Sequence, residues 1–287
     1  QNVTLDLNQH TVTFGTSSSP YRYGVALPPS YADTNGLWVN SDITVWRNSS
    51  GGVVKNGTIV QGSGRGANSA AFISYAEDNI TLQDTTITVN GDDTFAARIE
   101  YGGTFHVSGN TITDNTTVVS NRHQGRASVD FINISTEATL EVFGNTINNS
   151  RQWGIRVARG DTVGTWGHIY NNNIYTNTIV TNGYGIGVHG GRLEVYDNTI
   201  HATNGRGIHI EGNNAKVHDN DIDVVELPSS EYPRVSAHGI KLEGSTNADI
   251  YSNTVLSKGI VISDTQTSIG AALDFSVAVG SNNYVHN

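Results

Sequence analysis

Residues 198–224 read Asn198-Thr199-Ile200-His201-Ala202-Thr203-Asn204-Gly205-Arg206-Gly207-Ile208-His209-Ile210-Glu211-Gly212-Asn213-Asn214-Ala215-Lys216-Val217-His218-Asp219-Asn220-Asp221-Ile222-Asp223-Val224. Apolar residues alternate with polar ones in three short runs, at about Gly207–Ile210, Ala215–His218 and Asp221–Val224, with Asn and Gly between them. A period of two is the signature of a strand with one buried face. None of the three runs is long enough to stand alone. Ile208, Ile210, Val217 and Ile222 all point to one side, so coiling the chain and stacking the coils buries them at ~4.8 Å per turn.

The pattern recurs along the chain. Gly109-Asn110-Thr111-Ile112, Gly144-Asn145-Thr146-Ile147, Asp197-Asn198-Thr199-Ile200, Asp219-Asn220-Asp221-Ile222 and Ser252-Asn253-Thr254-Val255 share one phrase. It alternates with Gly154-Ile155-Arg156-Val157, Gly185-Ile186-Gly187-Val188, Gly207-Ile208-His209-Ile210, Gly239-Ile240-Lys241-Leu242 and Gly259-Ile260-Val261-Ile262. Self-similarity at a short period means stacked units. The Asn before each third strand is expected at a sharp corner, where it tolerates left-handed backbone, with its amide bonded to the next along the axis. Third-strand anchors are Val12, Ile59, Ile87, Ile112, Ile147, Ile174, Ile200, Ile222, Val255 and Val285, with room for a further coil between Val12 and Ile59.

The repeat, with Leu5-Asp6-Leu7-Asn8-Gln9-His10-Thr11-Val12 at its head, resembles the right-handed parallel β-helix superfamily, the pectate-lyase-like group whose first-coil phrase is usually LDLNGHTI. Gln9 stands where that phrase has Gly. The resemblance implies an all-β, single-domain β-solenoid of about ten coils over residues 1–287, with an Asn-rich corner. Members of the superfamily bind, cleave or epimerise polysaccharides, or serve as adhesins, fibres and surface proteins. A fold-level repeat does not by itself give a reaction. The Asp-Pro-His of alginate epimerases, the paired aspartates of polygalacturonases and the Arg-x-Pro-x-x-Arg of pectate lyases are absent.

Composition narrows the classes. The chain has 287 residues, a formal charge of −10, and neither Cys nor Met. Net negative charge argues against nucleic acid as a partner. Without Cys there is no disulfide, thiolate metal site or cysteine nucleophile. No apolar run reaches the ~20 residues of a membrane span. Gln1 reads as a processed or trimmed end, as removal of a secretion signal would leave. Asn2, Asn48, Asn56, Asn79, Asn115, Asn133 and Asn148 head glycosylation sequons, which fits a secreted or cell-surface protein.

In the Gly-Ile element the residue after Ile points outward. Aligned coils place Arg98, Asp130, Arg156, Gly187, His209, Lys241 and Val261 in one column. Glu100, Ile132, Ala158, His189, Glu211, Glu243 and Ser263 form its neighbour, and Trp153, Tyr184, Arg206, His238 and Lys258 precede the glycines. Elimination or epimerisation at a uronate needs a base and a positive charge for the developing enolate. Lys241, His209 or Arg206 would be the base and Arg156 the carboxylate clamp. Trp153, Tyr184, His189, Arg98 and His238 would bind glycan. No cofactor is required; were a metal bound, Glu211 and Glu243 would hold Ca²⁺, or act as a carboxylate pair. The competing reading is that these charges merely pair across the sheet surface.

No amphipathic helix is evident at either end, so the open sheet edges invite another chain. Two functions follow as expectations. One is an extracellular structural subunit whose copies join head to tail into a filament or surface layer. The other is a secreted carbohydrate-active protein, a lyase or epimerase, working along the Arg/His/Lys/Glu face.

Overall fold

The structure is a computed structural model that describes residues 2–15, 23–27, 51–62, 69–74, 79–91, 94–100, 103–116, 127–132, 134, 138–151, 153–158, 165–178, 183–225, 238–258, 261–263, 266–267, 271–274 and 284–286. Each coil contributes three strands, and each strand pairs in parallel with its counterpart one coil on. The Gly-Ile strands make a nine-stranded sheet, running from Tyr23–Leu27 through Ala70–Ser74, Phe95–Glu100, Ala127–Ile132, Trp153–Val157, Tyr184–Val188, Arg206–Ile210 and His238–Leu242 to Ala271–Asp274. The second and third strands make one 17-stranded sheet. It is continuous across their shared corner because Gly51–Gln61 and Ile80–Val89 run unbroken through both positions. Among the described residues no helix is long and apolar enough to cross a membrane.

The interior is a stack of like on like. Ile155, Ile186, Ile208 and Ile240 are successive neighbours, none more than 1% exposed. Ile59, Ile87, Ile112, Ile147, Ile174, Ile200 and Ile222 do the same on the third strands. One apolar cluster extends from Leu7 to Ile250. Each such side chain contributes about 1.5–3 kcal/mol by leaving water.

The corner asparagines form the expected ladder. From Asn110 through Asn145, Asn172, Asn198 and Asn220 to Asn253, each amide donates a hydrogen bond of 2.9 Å to the next. Each Oδ1 after the first also accepts the preceding Asn backbone N–H, and from Asn145 on each Nδ2 also donates to the carbonyl three residues before the preceding corner and to the one two residues before its own; for Asn198 these are Ile169 O and Tyr196 O. The left-handed backbone, however, is not at these asparagines. It falls on the residue before each one: Gly109, Gly144, Asn171, Asp197, Asp219 and Ser252 all have positive φ. The two tasks are therefore separate, because a carboxamide turned inward to the ladder needs its own backbone free to extend. Gln9 likewise takes φ 65, the conformation for which the usual Gly is suited.

The glycine of the Gly-Ile element has a steric cause. A Cβ at Gly154 would lie 2.6 Å from Gly185 O, and at Gly207 it would overlap both Gly239 O and Ile222 Cγ2. Glycine is what lets the third-strand isoleucine pack under the next strand.

Three expectations of register are corrected. Val12 pairs directly with Ile59, so no coil lies between them. Val285 pairs with Ile250 on the second strands and is not the rung after Val255, leaving nine third-strand anchors among the described residues. Val261 belongs to a small antiparallel hairpin, Val261–Ser263 with Gln266–Thr267, and Lys258 lies opposite Val225; Ala271–Asp274 supplies the next Gly-Ile rung instead. In the last two cases a local phrase imitates the repeat without holding its place in the register.

Replacing Asn198 by Ala strands the amide and N–H of Asn172 and two carbonyls in the interior. Asn198→Ala is expected to cost about 2–4 kcal/mol in denaturant titration, and Asp221→Ala, an exposed change one coil on, under about 0.5 kcal/mol.

Candidate functional site

Register carries the first outward column as expected through Arg98, Asp130, Arg156, Gly187, His209 and Lys241. The following rung is Asp274, not Val261. In the second column Glu100 faces Ile132. Ala158, His189, Glu211 and Glu243 are each fixed by a backbone N–H donated to the carbonyl one residue earlier on the preceding rung, such as Glu211 N to Val188 O at 2.7 Å. Trp153 neighbours Tyr184 and Tyr184 neighbours Arg206.

The charges on this face pair with one another. Arg156 holds Asp130 with two hydrogen bonds of 2.7 Å, and the Asp130 side chain is fully buried. Burial pushes the Asp130 carboxyl upward, while Arg156 and Arg98 pull it back. Arg156, expected as a clamp for a substrate carboxylate, thus has a carboxylate from its own chain. Arg98 pairs with Glu100 at 2.5 Å and stacks on Phe95, apart from the cluster described next.

Trp153, Tyr184, His189 and His209 form an aromatic cluster. Tyr184 and His209 stack at 4.6 Å and 14°, Trp153 lies 4.5 Å from Tyr184 and 5.2 Å from His189, and His189 meets His209 edge-on at 5.3 Å. The Trp153 ring fills the place where a Cβ on Gly187 would stand, which is why that column position is Gly. Arg206 covers the Tyr184 ring at 5.1 Å and donates to its hydroxyl; burial raises the Tyr184 hydroxyl. Trp153 and Tyr184 are 5% and 3% exposed. Their faces are taken by the cluster, so they do not offer the platform for a sugar ring that the sequence led one to expect.

His209 is the centre. It is 3% exposed, and neither ring nitrogen makes a hydrogen bond. Burial first, and His189 second, push its pKa down to about 4, so it is neutral near pH 7. Its Nε2 lies 3.3 Å from Glu243 Oε2 and 3.6 Å from Glu211 Oε1. Glu211 also contacts His189 Nδ1 at 2.6 Å. Lys241 Nζ donates to Glu243 at 2.6 Å, a bond that lowers the Glu243 carboxyl. The two glutamates named as a carboxylate pair therefore share an imidazole. His238 is buried on the rung beyond Arg206. The sequence also suggests insertions around Asn115–Arg126 and Glu226–Ala237 that would wall one side of this face; beyond Asn115 and Thr116 they lie outside the described residues.

Of the sequons, Asn48 and Asn133 lie outside the described residues, as does the Asn2 side chain. Asn79 and Asn115 are exposed, and Asn148 is half-buried. The Asn56 amide donates to the Asp6 carboxylate at 3.2 Å.

A second side-chain ladder was not foreseen. Phe143, Tyr170, Tyr196, His218 and Tyr251 stack in line along the second strands, with centroids 4.6–5.1 Å apart and planes within 11°. Beside them His168 bridges Glu141 and Glu194 at 2.7 and 3.5 Å. The signal was present: in five consecutive coils an aromatic residue stands two before the ladder asparagine.

Two outcomes are expected. Asp130→Asn removes the carboxylate charge that Arg156 grips with two hydrogen bonds in a buried setting and costs about 3–5 kcal/mol, much of it recovered in Asp130→Asn/Arg156→Met, by thermal denaturation. Because the folded His209 binds its proton more weakly than the unfolded chain does, stability falls as pH drops from about 6.5 toward 4. In chelator-treated protein this loss is expected to reach about 2–3 kcal/mol and to be absent from His209→Gln.

A family profile described as "Right handed beta helix region" matches residues 130–287, more than half of the chain. No curated protein and no solved structure matches it. With its three stacked strands per coil, its parallel sheets and this match, the chain belongs to the right-handed β-helix family.

Proposed function

We propose that the chain is an extracellular structural β-solenoid, a stiff rod whose copies join end to end into a filament or surface layer. The observation that carries this reading is the pairing of charge within the outward face. Arg98 with Glu100, Arg156 with Asp130 and Lys241 with Glu243 spend their charges on the rod itself. Amide and aromatic ladders running along the axis serve the same end, since each resists bending between coils. A parallel sheet keeps unused backbone donors and acceptors at its margins. The rung Tyr284–His286 presents Tyr284 and Val285 at 60% and 51% exposure, and an added strand in register would cover them. The sequons favour an extracellular setting.

A second reading, a lyase or epimerase on an acidic glycan, has one observation in its favour. A buried polar group without hydrogen bonds demands an explanation, and such groups concentrate at functional sites; His209 is one, beside Lys241 and two glutamates.

Negative-stain microscopy of the native material separates them. Fibres are expected, shortened by Val285→Lys. Dispersed rods of ~50 Å, ten coils at ~4.8 Å, would overturn the filament. Unsaturated product or epimer from pectate, alginate or a glycosaminoglycan, abolished in Lys241→Ala and His209→Ala, would establish the second reading in its place.

A further inference from the structure

We propose that His189, His209 and Glu211 form a binding site for a transition-metal dication of the Zn²⁺ type, with Glu243 at its edge. The donor atoms of the three residues lie within 4.8 Å of one another. Two come from one strand end and one from the rung before it. Val188 faces Ile210, so His189 and Glu211 follow in adjacent places on paired, hydrogen-bonded backbone. A site on paired strands is positioned without help from a loop.

The distances suit such an ion. Zn–N and Zn–O bonds of about 2.0–2.2 Å in a tetrahedron put neighbouring donors about 3.3–3.5 Å apart. His209 Nε2 stands 3.6 Å from Glu211 Oε1 and 3.3 Å from Glu243 Oε2. The closer contact, His189 Nδ1 to Glu211 Oε2 at 2.6 Å, needs to open by less than about 1 Å.

The independent observation is the imidazole of His209. It is 3% exposed, held in orientation by its stack on Tyr184, and neither nitrogen has a hydrogen bond. A buried donor or acceptor left unmade costs about 1–3 kcal/mol. The paired charges elsewhere on the face show that partners are normally supplied. Here the Nε2 is aimed between two carboxylates without bonding either. An ion placed there satisfies the nitrogen and takes up the Glu211 carboxylate beside it, with Glu243 in reach.

Ligand chemistry decides the class. Two imidazoles and a carboxylate suit Zn²⁺ and its first-row neighbours, whereas Ca²⁺ takes six to eight oxygens. The Ca²⁺ first considered for Glu211 and Glu243 is therefore displaced by the histidines between and beside them. The inference does not depend on either reading of the function: a metal here clamps two rungs of a rod or sits in an enzyme cleft equally well.

The test is isothermal titration of chelator-treated full chain with ZnCl₂ and separately with CaCl₂, with circular dichroism confirming the fold of every variant. One Zn²⁺ per chain at micromolar or tighter affinity is expected, without comparable Ca²⁺ binding. His189→Gln and Glu211→Gln should each weaken Zn²⁺ at least about tenfold to a hundredfold. His168→Gln, in the histidine–glutamate group on the other sheet, should change it less than twofold. His209→Gln should abolish binding, and the two more exposed variants decide the matter if it fails to fold. Absence of stoichiometric Zn²⁺ binding, unchanged affinity in both His189→Gln and Glu211→Gln, loss in His168→Gln, or a preference for Ca²⁺ would each overturn the site.

Discussion

Coils in register are spaced by the hydrogen bonds of parallel strands, ~4.8 Å apart, and every other contact in the molecule is obliged to repeat at that interval. Asn110 to Asn253 show how this constraint is met. Each carboxamide has its oxygen and both its hydrogens satisfied by main chain and by the next amide. An amide spans the gap between rungs when it lies along the axis. The preceding residue turns left-handed, which frees the ladder asparagine to point inward. One pair of positions thereby sets corner, register and spacing.

The same interval governs the outside. Like charges stacked at rung spacing repel, so the face stays soluble and stable only if opposite charges interleave. Asp130 is set between Arg98 and Arg156 in its column, and on the other sheet His168 is set between Glu141 and Glu194. Rings obey a second rule: planar groups stack at about the rung distance, so Tyr170 over Tyr196 is nearly strain-free. Where a large ring must cross rungs, as Trp153 does, the next position gives up its side chain altogether, at Gly187.

Much of this was legible because it repeats. Alternation named the interior isoleucines, and spacing placed Arg98 through Lys241 in one column. What was misread has one physical origin. Coil closure counts three dimensions, whereas a phrase counts residues, so Gly259-Ile260-Val261-Ile262 and Asn283-Tyr284-Val285 matched the repeat in wording and missed it in position. The aromatic ladder was missed for another reason: Phe143, Tyr170, Tyr196, His218 and Tyr251 share a shape but not a letter. The enclosure of Trp153 and Tyr184 was illegible altogether, since outward direction does not tell whether neighbours close over a ring.

His189, His209 and Glu211 were all named from the sequence, yet in separate roles, because they belong to two columns and two coils. Their convergence follows from geometry. Adjacent outward columns on adjacent rungs form a roughly square cell, about 4.8 Å between rungs and about 6.6 Å along the strand, small enough for converging side chains to let a single ion touch three of its corners. A β-helix thus generates such squares at every rung, and interleaved charge ordinarily fills them with ion pairs. The square at His209 differs because aromatic packing against Tyr184 fixes the imidazole plane before any carboxylate can align with it. Rigid stacking, which elsewhere closes the surface against chemistry, here leaves one donor that the rod does not itself satisfy.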